Sequence, residues 1–161
     1  MRKAKTGGKI EGSRFGSGLY PVTVTYAHSR YLLPAKKLIR QVSMILQKEK
    51  ESGQVEIILA GDRLLRRLNR KFAGKDKNTD VLSFPLRESV DATESVKYLG
   101  EIYISIEQAK RQAKEFDTSL SKEMLRLVTH GTLHLLGYDH VKTKEARRMR
   151  KKEEKYLNAQ A

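Results

Sequence analysis

The sequence predicts an α+β fold, a small mixed β-sheet with helices packed on it. Three observations predict it. Short β-branched runs, residues 22–26 (VTVTY) and 55–60 (VEIILA), alternate with amphipathic stretches of helical period. Two further strand-like runs then follow one another, and three helical stretches close the chain, so the order β α β α β β α α α departs from strict alternation. The 161 residues, 39% of them hydrophobic, suffice for one core, and with no cysteine that core has no disulfide to support it.

In chain order, residues 1–20 carry Arg2, Lys3, Lys5, Lys9 and Arg14 among glycines, with almost nothing apolar to bury. They are expected to be a flexible basic tail ahead of a single domain, residues 21–161. The first strand follows, and His28 after it is expected in a loop, at the surface. Pro34 opens a helix whose apolar stripe is Leu38, Ile39, Val42, Ile45 and Leu46, ending before Gly53. After the second strand, a helix over residues 62–72 turns Leu64, Leu65 and Leu68 inward, with Gly74 at its C-terminus. Residues 80–85 (DVLSFP) are a strand stopped by proline, residues 99–105 (LGEIYIS) another, and the polar stretch 87–97 between them is expected to be mobile. Ser105 and Gln108 form a capping box for the next helix. Beyond Thr118 and Ser119 lies an apolar helix with Leu120, Met124, Leu127, Val128, Leu135 and Leu136, and Thr143 is expected to cap a last, charged helix holding Met149 and Tyr156 in the core.

The chemistry concentrates in residues 129–140, THGTLHLLGYDH, which hold three of the four histidines. On a helix His130 and His134 project from one face, one turn apart, and can hold a single ion. Gly137 permits the left-handed backbone that ends a helix, and the turn brings His140 back as a third ligand. Without cysteine the ligands are nitrogen and oxygen, and three histidines with an open fourth position describe a catalytic zinc. The spacing matches the metzincin pattern HExxHxxGxxH at all three histidines and the glycine, but Gly131 stands where that pattern carries its glutamate base. The metal geometry is therefore expected without the protease chemistry. Asp139 is a candidate to orient a histidine, against the simpler role of bonding local backbone.

The charge points to a partner. With 33 Lys plus Arg against 19 Asp plus Glu the chain carries +14, which favours a polyanion such as nucleic acid over an acidic membrane surface. Arg66, Arg67, Arg70, Lys71, Lys75 and Lys77, on the second helix and the loop after it, form the expected nucleic-acid-binding patch. No run approaches the ~20 apolar residues of a membrane helix. The N-terminus lacks the apolar core of a signal peptide, so a cytoplasmic protein is expected.

The runs LNRKFAGKDKNTDVLSFP (residues 68–85), LGEIYIS (99–105) and HGTLHLLGYDH (130–140), in that order, resemble the YbeY family of ribosomal RNA maturation factors. The resemblance implies that residues 21–161 are a zinc-dependent endoribonuclease domain acting on single-stranded RNA in ribosome assembly, notably at the 3′ end of the small-subunit RNA, and in ribosome quality control. It implies one zinc per chain on His130, His134 and His140, ribosomal RNA as the partner, and ribosomal proteins or an assembly GTPase as further candidates. Two positions depart from the family: Asn78 replaces a proline, and Ala73 replaces an arginine associated with activity. Arg70, three residues earlier on the same helix, is the candidate to supply that guanidinium as a catalytic group. The general base is left unassigned. The competing reading is a zinc-bearing RNA-binding assembly factor that does not cleave; a metal-dependent peptidase is weakened by Gly131.

Overall fold

Alternating burial along the strands builds the sheet. In the computed structural model, which describes residues 9–11, 22–26, 34–86 and 97–159, five strands and five helices succeed one another as β1 (Lys9–Glu11), β2 (Val22–Tyr26), α1 (Ala35–Lys48), β3 (Gln54–Ala60), α2 (Asp62–Ala73), β4 (Val81–Pro85), β5 (Tyr98–Ser105), α3 (Ile106–Glu115), α4 (Leu120–Leu135) and α5 (Thr143–Asn158). The sheet order is β1-β2-β3-β5-β4, with β2, β3 and β5 parallel and the two outer strands antiparallel to their neighbours. This is the mixed sheet of an α+β fold.

Register puts Val22, Val24, Val55, Ile57, Leu59, Ile102 and Ile104 on one face, all fully buried in the main core with Leu38, Val42, Leu46, Met124, Leu127 and Val128 of α1 and α4. At about 25 cal/mol per Å² of apolar area removed from water, this layer is the main source of stability. The other face is half solvated. There Thr25 and Tyr98 donate hydrogen bonds to the Glu56 carboxylate, and Tyr103 donates to Glu101. Burial and the neighbouring carboxylates push the Tyr103 hydroxyl up to about 12. Phe72, from α2, meets Phe84 edge-on at 5.2 Å, and Phe84 meets Tyr103 at 5.6 Å.

Three sequence expectations change. Lys9–Glu11, placed in the flexible tail, is a strand pairing with β2, Lys9 opposite Thr25 and Glu11 opposite Thr23. Backbone hydrogen bonds along an otherwise open sheet edge need no apolar side chain, so a polar sequence suffices there. The rest of residues 1–20, His28 and most of the 87–97 stretch lie outside the described residues. In α2 the buried positions are Leu65 and Asn69, with Leu64 and Leu68 only half-buried. Asn69 is buried because its amide donates to the Lys77 carbonyl, holding the following loop against the helix. Thr143 is the first residue of α5 and not its cap; Lys142 occupies the cap position without a side-chain bond. Ser105 and Ser119 do cap α3 and α4, accepting from the backbone N–H of Gln108 and Lys122.

Candidate metal centre

The core is packed around α4. It lies between α1, α5 and the sheet, and two bonds tie it there: Gln41 of α1 donates to Thr129, and Ser83 of β4 donates to the Gly131 carbonyl; Gln41 also donates to the Tyr156 carbonyl of α5. Gly131 allows the close approach. A Cβ there would stand 2.7 Å from the Ile102 Cγ2 and 3.0 Å from the Ser83 Oγ. The position that carries a glutamate in the metzincin pattern is a helix-to-sheet contact here, with no space for a side chain.

Rigid placement of α4 sets two histidines, and its C-terminus sets the third. Gly137 N–H donates to the His134 carbonyl and Tyr138 N–H to the Leu133 carbonyl, a Schellman ending with Gly137 at φ +90°. The chain reverses and His140 returns over the helix end. His130 Nε2 is then 3.0 Å from His134 Nε2, which is 3.1 Å from His140 Nδ1. A tetrahedral zinc with nitrogens at about 2.0–2.1 Å sets them about 3.3–3.4 Å apart, so three converging nitrogens at this spacing fit one ion. Among the described residues these three form the group of histidine or acidic side chains able to hold a metal, with all their donor atoms within 4.8 Å of one another. Burial, and then the neighbouring His130 and His140, hold the His134 imidazole below its ordinary 6.5. The neutral ring is the one that binds metal.

Outer contacts hold the three histidines. His130 Nδ1 meets the Glu153 carboxylate of α5. The backbone of Tyr138 lies close enough to His134 to oppose that lowering of its pKa in part. Tyr138, two residues before His140, donates its hydroxyl to Glu49 at 2.7 Å, and Glu49 also accepts from Lys152 at 2.7 Å and from the Tyr156 hydroxyl. Burial opposes the Glu49 charge, but these three donors outweigh it and hold its carboxyl below the ordinary 4.5. Asp139 bonds local backbone: its Oδ1 accepts from His140 and Val141 N–H.

The three rings face a cleft of about 470 Å³ whose other wall is Thr79, Asp80, Val81, Leu82, Ser83 and Pro85. A larger cleft of about 860 Å³ lies at the other end of α4, between Lys37, Arg40, Phe116 and Lys122, away from the histidines. The donor set selects the smaller one. Asp80 is its one carboxylate among the described lining residues, and both oxygens are engaged, Oδ1 with Val81 N–H and Oδ2 with the Gln112 amide. Arg126 stands 3.8 Å from Asp80 and binds the buried Glu123 at 2.6 Å; that pairing raises its pKa further.

The basic residues singled out in the sequence gather elsewhere. Arg66, Arg67 and Arg70 line a cleft of about 440 Å³ with Arg63, Asp62, Asp76 and Asn78. Arg66 pairs with Asp76 at 2.9 Å, and Arg70 lies close enough to lower the Asp76 carboxyl. Lys71 sits 5.2 Å from the Phe72 ring, and Lys75 and Lys77 are exposed. Arg70 does not line the histidine cleft, and no Lys or Arg does among the described residues. Asp80, Ser83 and Glu153 reach the site without having been singled out. Asp80 and Ser83 lie in the DVLSFP run and were legible only as a strand, and nothing in the charged repeat of the last helix marks Glu153.

The model of the endoribonuclease YbeY family matches residues 24–161. The chain is 42% identical over 137 residues to endoribonuclease YbeY of Myxococcus xanthus, a match covering 84% of this chain and 47% of that protein. It is 44% identical over 122 residues to endoribonuclease YbeY of Carboxydothermus hydrogenoformans, covering 76% and 82%. Thus the match spans about half of the first relative and most of the second. Among solved structures, TM1509 from Thermotoga maritima superposes with a TM-score of 0.60 at 34% identity, covering 84% of this chain and 86% of that one. With the histidine run and the mixed sheet both inside the matched span, the chain belongs to the YbeY family of endoribonucleases.

Proposed function

We propose that the chain is a zinc-dependent endoribonuclease that holds one zinc on His130, His134 and His140 and cuts single-stranded RNA. Its place is ribosomal RNA processing, at the 3′ end of the small-subunit RNA, and ribosome quality control, with ribosomal proteins or an assembly GTPase as partners. The observation that carries the reading is the convergence of His130 Nε2, His134 Nε2 and His140 Nδ1 at one point on the wall of an open cleft. When bound, the metal supplies Lewis acidity and brings the pKa of its water to about 7. The chain's own residues do the rest. Gly131 and Ser83 hold α4 against β4, so the cleft keeps its width, and Asp80 braces its far wall through Gln112. No side chain is assigned as base. Arg63 and Arg67, which make no ion pair among the described residues, join Arg66, Arg70, Lys71, Lys75 and Lys77 as the phosphate-binding patch. Residues 21–161 act as one domain. No described helix is long and apolar enough to cross a membrane.

One observation favours a second reading, a zinc-bearing RNA-binding assembly factor without cleavage. The histidine cleft has no cation among its described lining residues, whereas a transition state gathering charge on phosphoryl oxygens is commonly stabilised by one. Product analysis separates the two. The zinc-loaded chain is incubated with a structured RNA carrying the 3′ end of the small-subunit RNA, with a peptide as control. Defined RNA fragments that disappear with His134→Ala, and an intact peptide, are expected. Tight RNA binding with no fragments would establish the second reading.

A further inference from the structure

The last helix carries none of the three histidines, yet it reaches the centre they form. Glu153 of α5 meets the Nδ1 edge of His130, while the opposite ring nitrogen, Nε2, is the one 3.0 Å from His134 Nε2. A neutral imidazole carries one proton, on one nitrogen or the other, and the hydrogen bond made by one nitrogen decides which. An ionised carboxylate can only accept. We propose that Glu153 is a positioning residue, whose carboxylate accepts the Nδ1 proton of His130 and so keeps Nε2 bare and aimed at the point shared with His134 and His140. The inference rests on the reading of those histidines as metal ligands and adds what sets the first of them before metal arrives.

The surroundings support an orienting role. The side chains of His130 and Glu153 are only 27% and 24% exposed, so water competes weakly for the contact. Arg126, one turn before His130 on α4, lies in the field of Glu153 as well as of Glu123 and Asp80, so the carboxylate faces a cation that is itself held in place. Lys152, the residue before Glu153, is fixed to Glu49, and Glu49 holds the Tyr138 hydroxyl in the turn that leads to His140. One turn of α5 therefore braces the first ligand directly and the third through the turn. Among the described residues His130 is the only histidine of the three whose ring meets a carboxylate. A carboxylate on the far nitrogen removes the search for orientation; losing such a partner typically costs 10–100-fold in metal affinity.

The test uses the full chain with three variants. Glu153→Ala removes the acceptor, Glu153→Gln keeps an oxygen acceptor without the charge, and Glu154→Ala removes the same charge from the exposed neighbouring position. Zinc affinity is measured by competition with a chelator. The tautomer of His130 is read from long-range proton–nitrogen spectra of the metal-stripped, histidine-labelled chain. Expected are the Nδ1–H tautomer in the parent, its loss in Glu153→Ala with about 10–100-fold weaker zinc binding, recovery of both in Glu153→Gln to within a few-fold, and no change in Glu154→Ala. Parent affinity and parent tautomer in Glu153→Ala would overturn the inference. So would equal losses in Glu153→Gln and Glu154→Ala, which would mark a general effect of charge. His134→Ala keeps this failure apart from failure of the metal assignment. If it loses zinc while Glu153→Ala does not, only the role of Glu153 falls; if it keeps zinc, the assignment itself does.

Discussion

Arg70 stands three residues before Ala73, where the family pattern carries an arginine, but its side chain joins the cleft of Arg63, Arg66 and Arg67 and acts on Asp76. On the proposed reading, a cation that lines that cleft and not the histidine cleft serves to hold a phosphate of the substrate. Arg70→Ala is therefore expected to weaken single-stranded RNA binding a few-fold and to make the salt dependence shallower by about 0.7 in log–log slope, with zinc content and kcat unchanged. Binding isotherms at several salt concentrations, together with single-turnover rates, check this. A collapse of kcat at unchanged affinity would bring Arg70 back to the histidines. The convergence of the three histidines was legible residue by residue because their spacing alone fixes a shared helix face and a turn. Glu153 was not: it lies 23 positions from His130, among Glu145 and Glu154, and only the packing of α5 on α4 distinguishes it.

At the scale of the element, α4 is a histidine-bearing helix pressed onto a sheet, and Gly131 is a point of close approach. Gly131→Ala should gain up to about 1 kcal/mol of helix propensity. It would also drive a methyl to 2.7 Å from Ile102, a stiff, fully buried β-branched side chain. Overpacking of this kind costs about 1–3 kcal/mol, so a net loss is expected in urea unfolding, with weaker zinc binding as His130 and His134 shift together. Stability equal to or above the parent would mean that the contact is loose. Helices and inner strands were legible from period, since Leu38, Val42, Ile57 and Ile104 point into one core. β1 was illegible because a strand on a sheet edge is recruited through its backbone. Leu64 and Leu68 were misplaced because the loop carbonyl of Lys77 gives the inward position to Asn69.

For the whole molecule, strand order is the feature furthest from the sequence. β4 and β5 are neighbours in sequence and in space, yet β5 sits between β4 and β3, and no local pattern encodes that insertion. What closes the molecule on the ligand side is the Glu49 cluster, which joins α1, the turn after α4, and α5. Its carboxyl is held below 4.5 in the folded chain, so its contribution is fully present above pH 4.5 and is lost as pH falls through the folded value. Melting temperature followed from pH 6 downward should therefore fall more steeply in the parent than in Glu49→Gln, with the two curves converging at the acid end. Parallel curves would mean that Glu49 does not couple folding to pH.

The central claim is that three histidines, set by one helix and the turn that ends it, hold a single metal ion. Elemental analysis of the purified chain and its histidine variants tests that claim most directly. One zinc per chain is predicted for the parent, and near-complete loss for His130→Ala, His134→Ala and His140→Ala, each with its helical circular dichroism retained. Undiminished zinc in His134→Ala or His140→Ala would contradict the account.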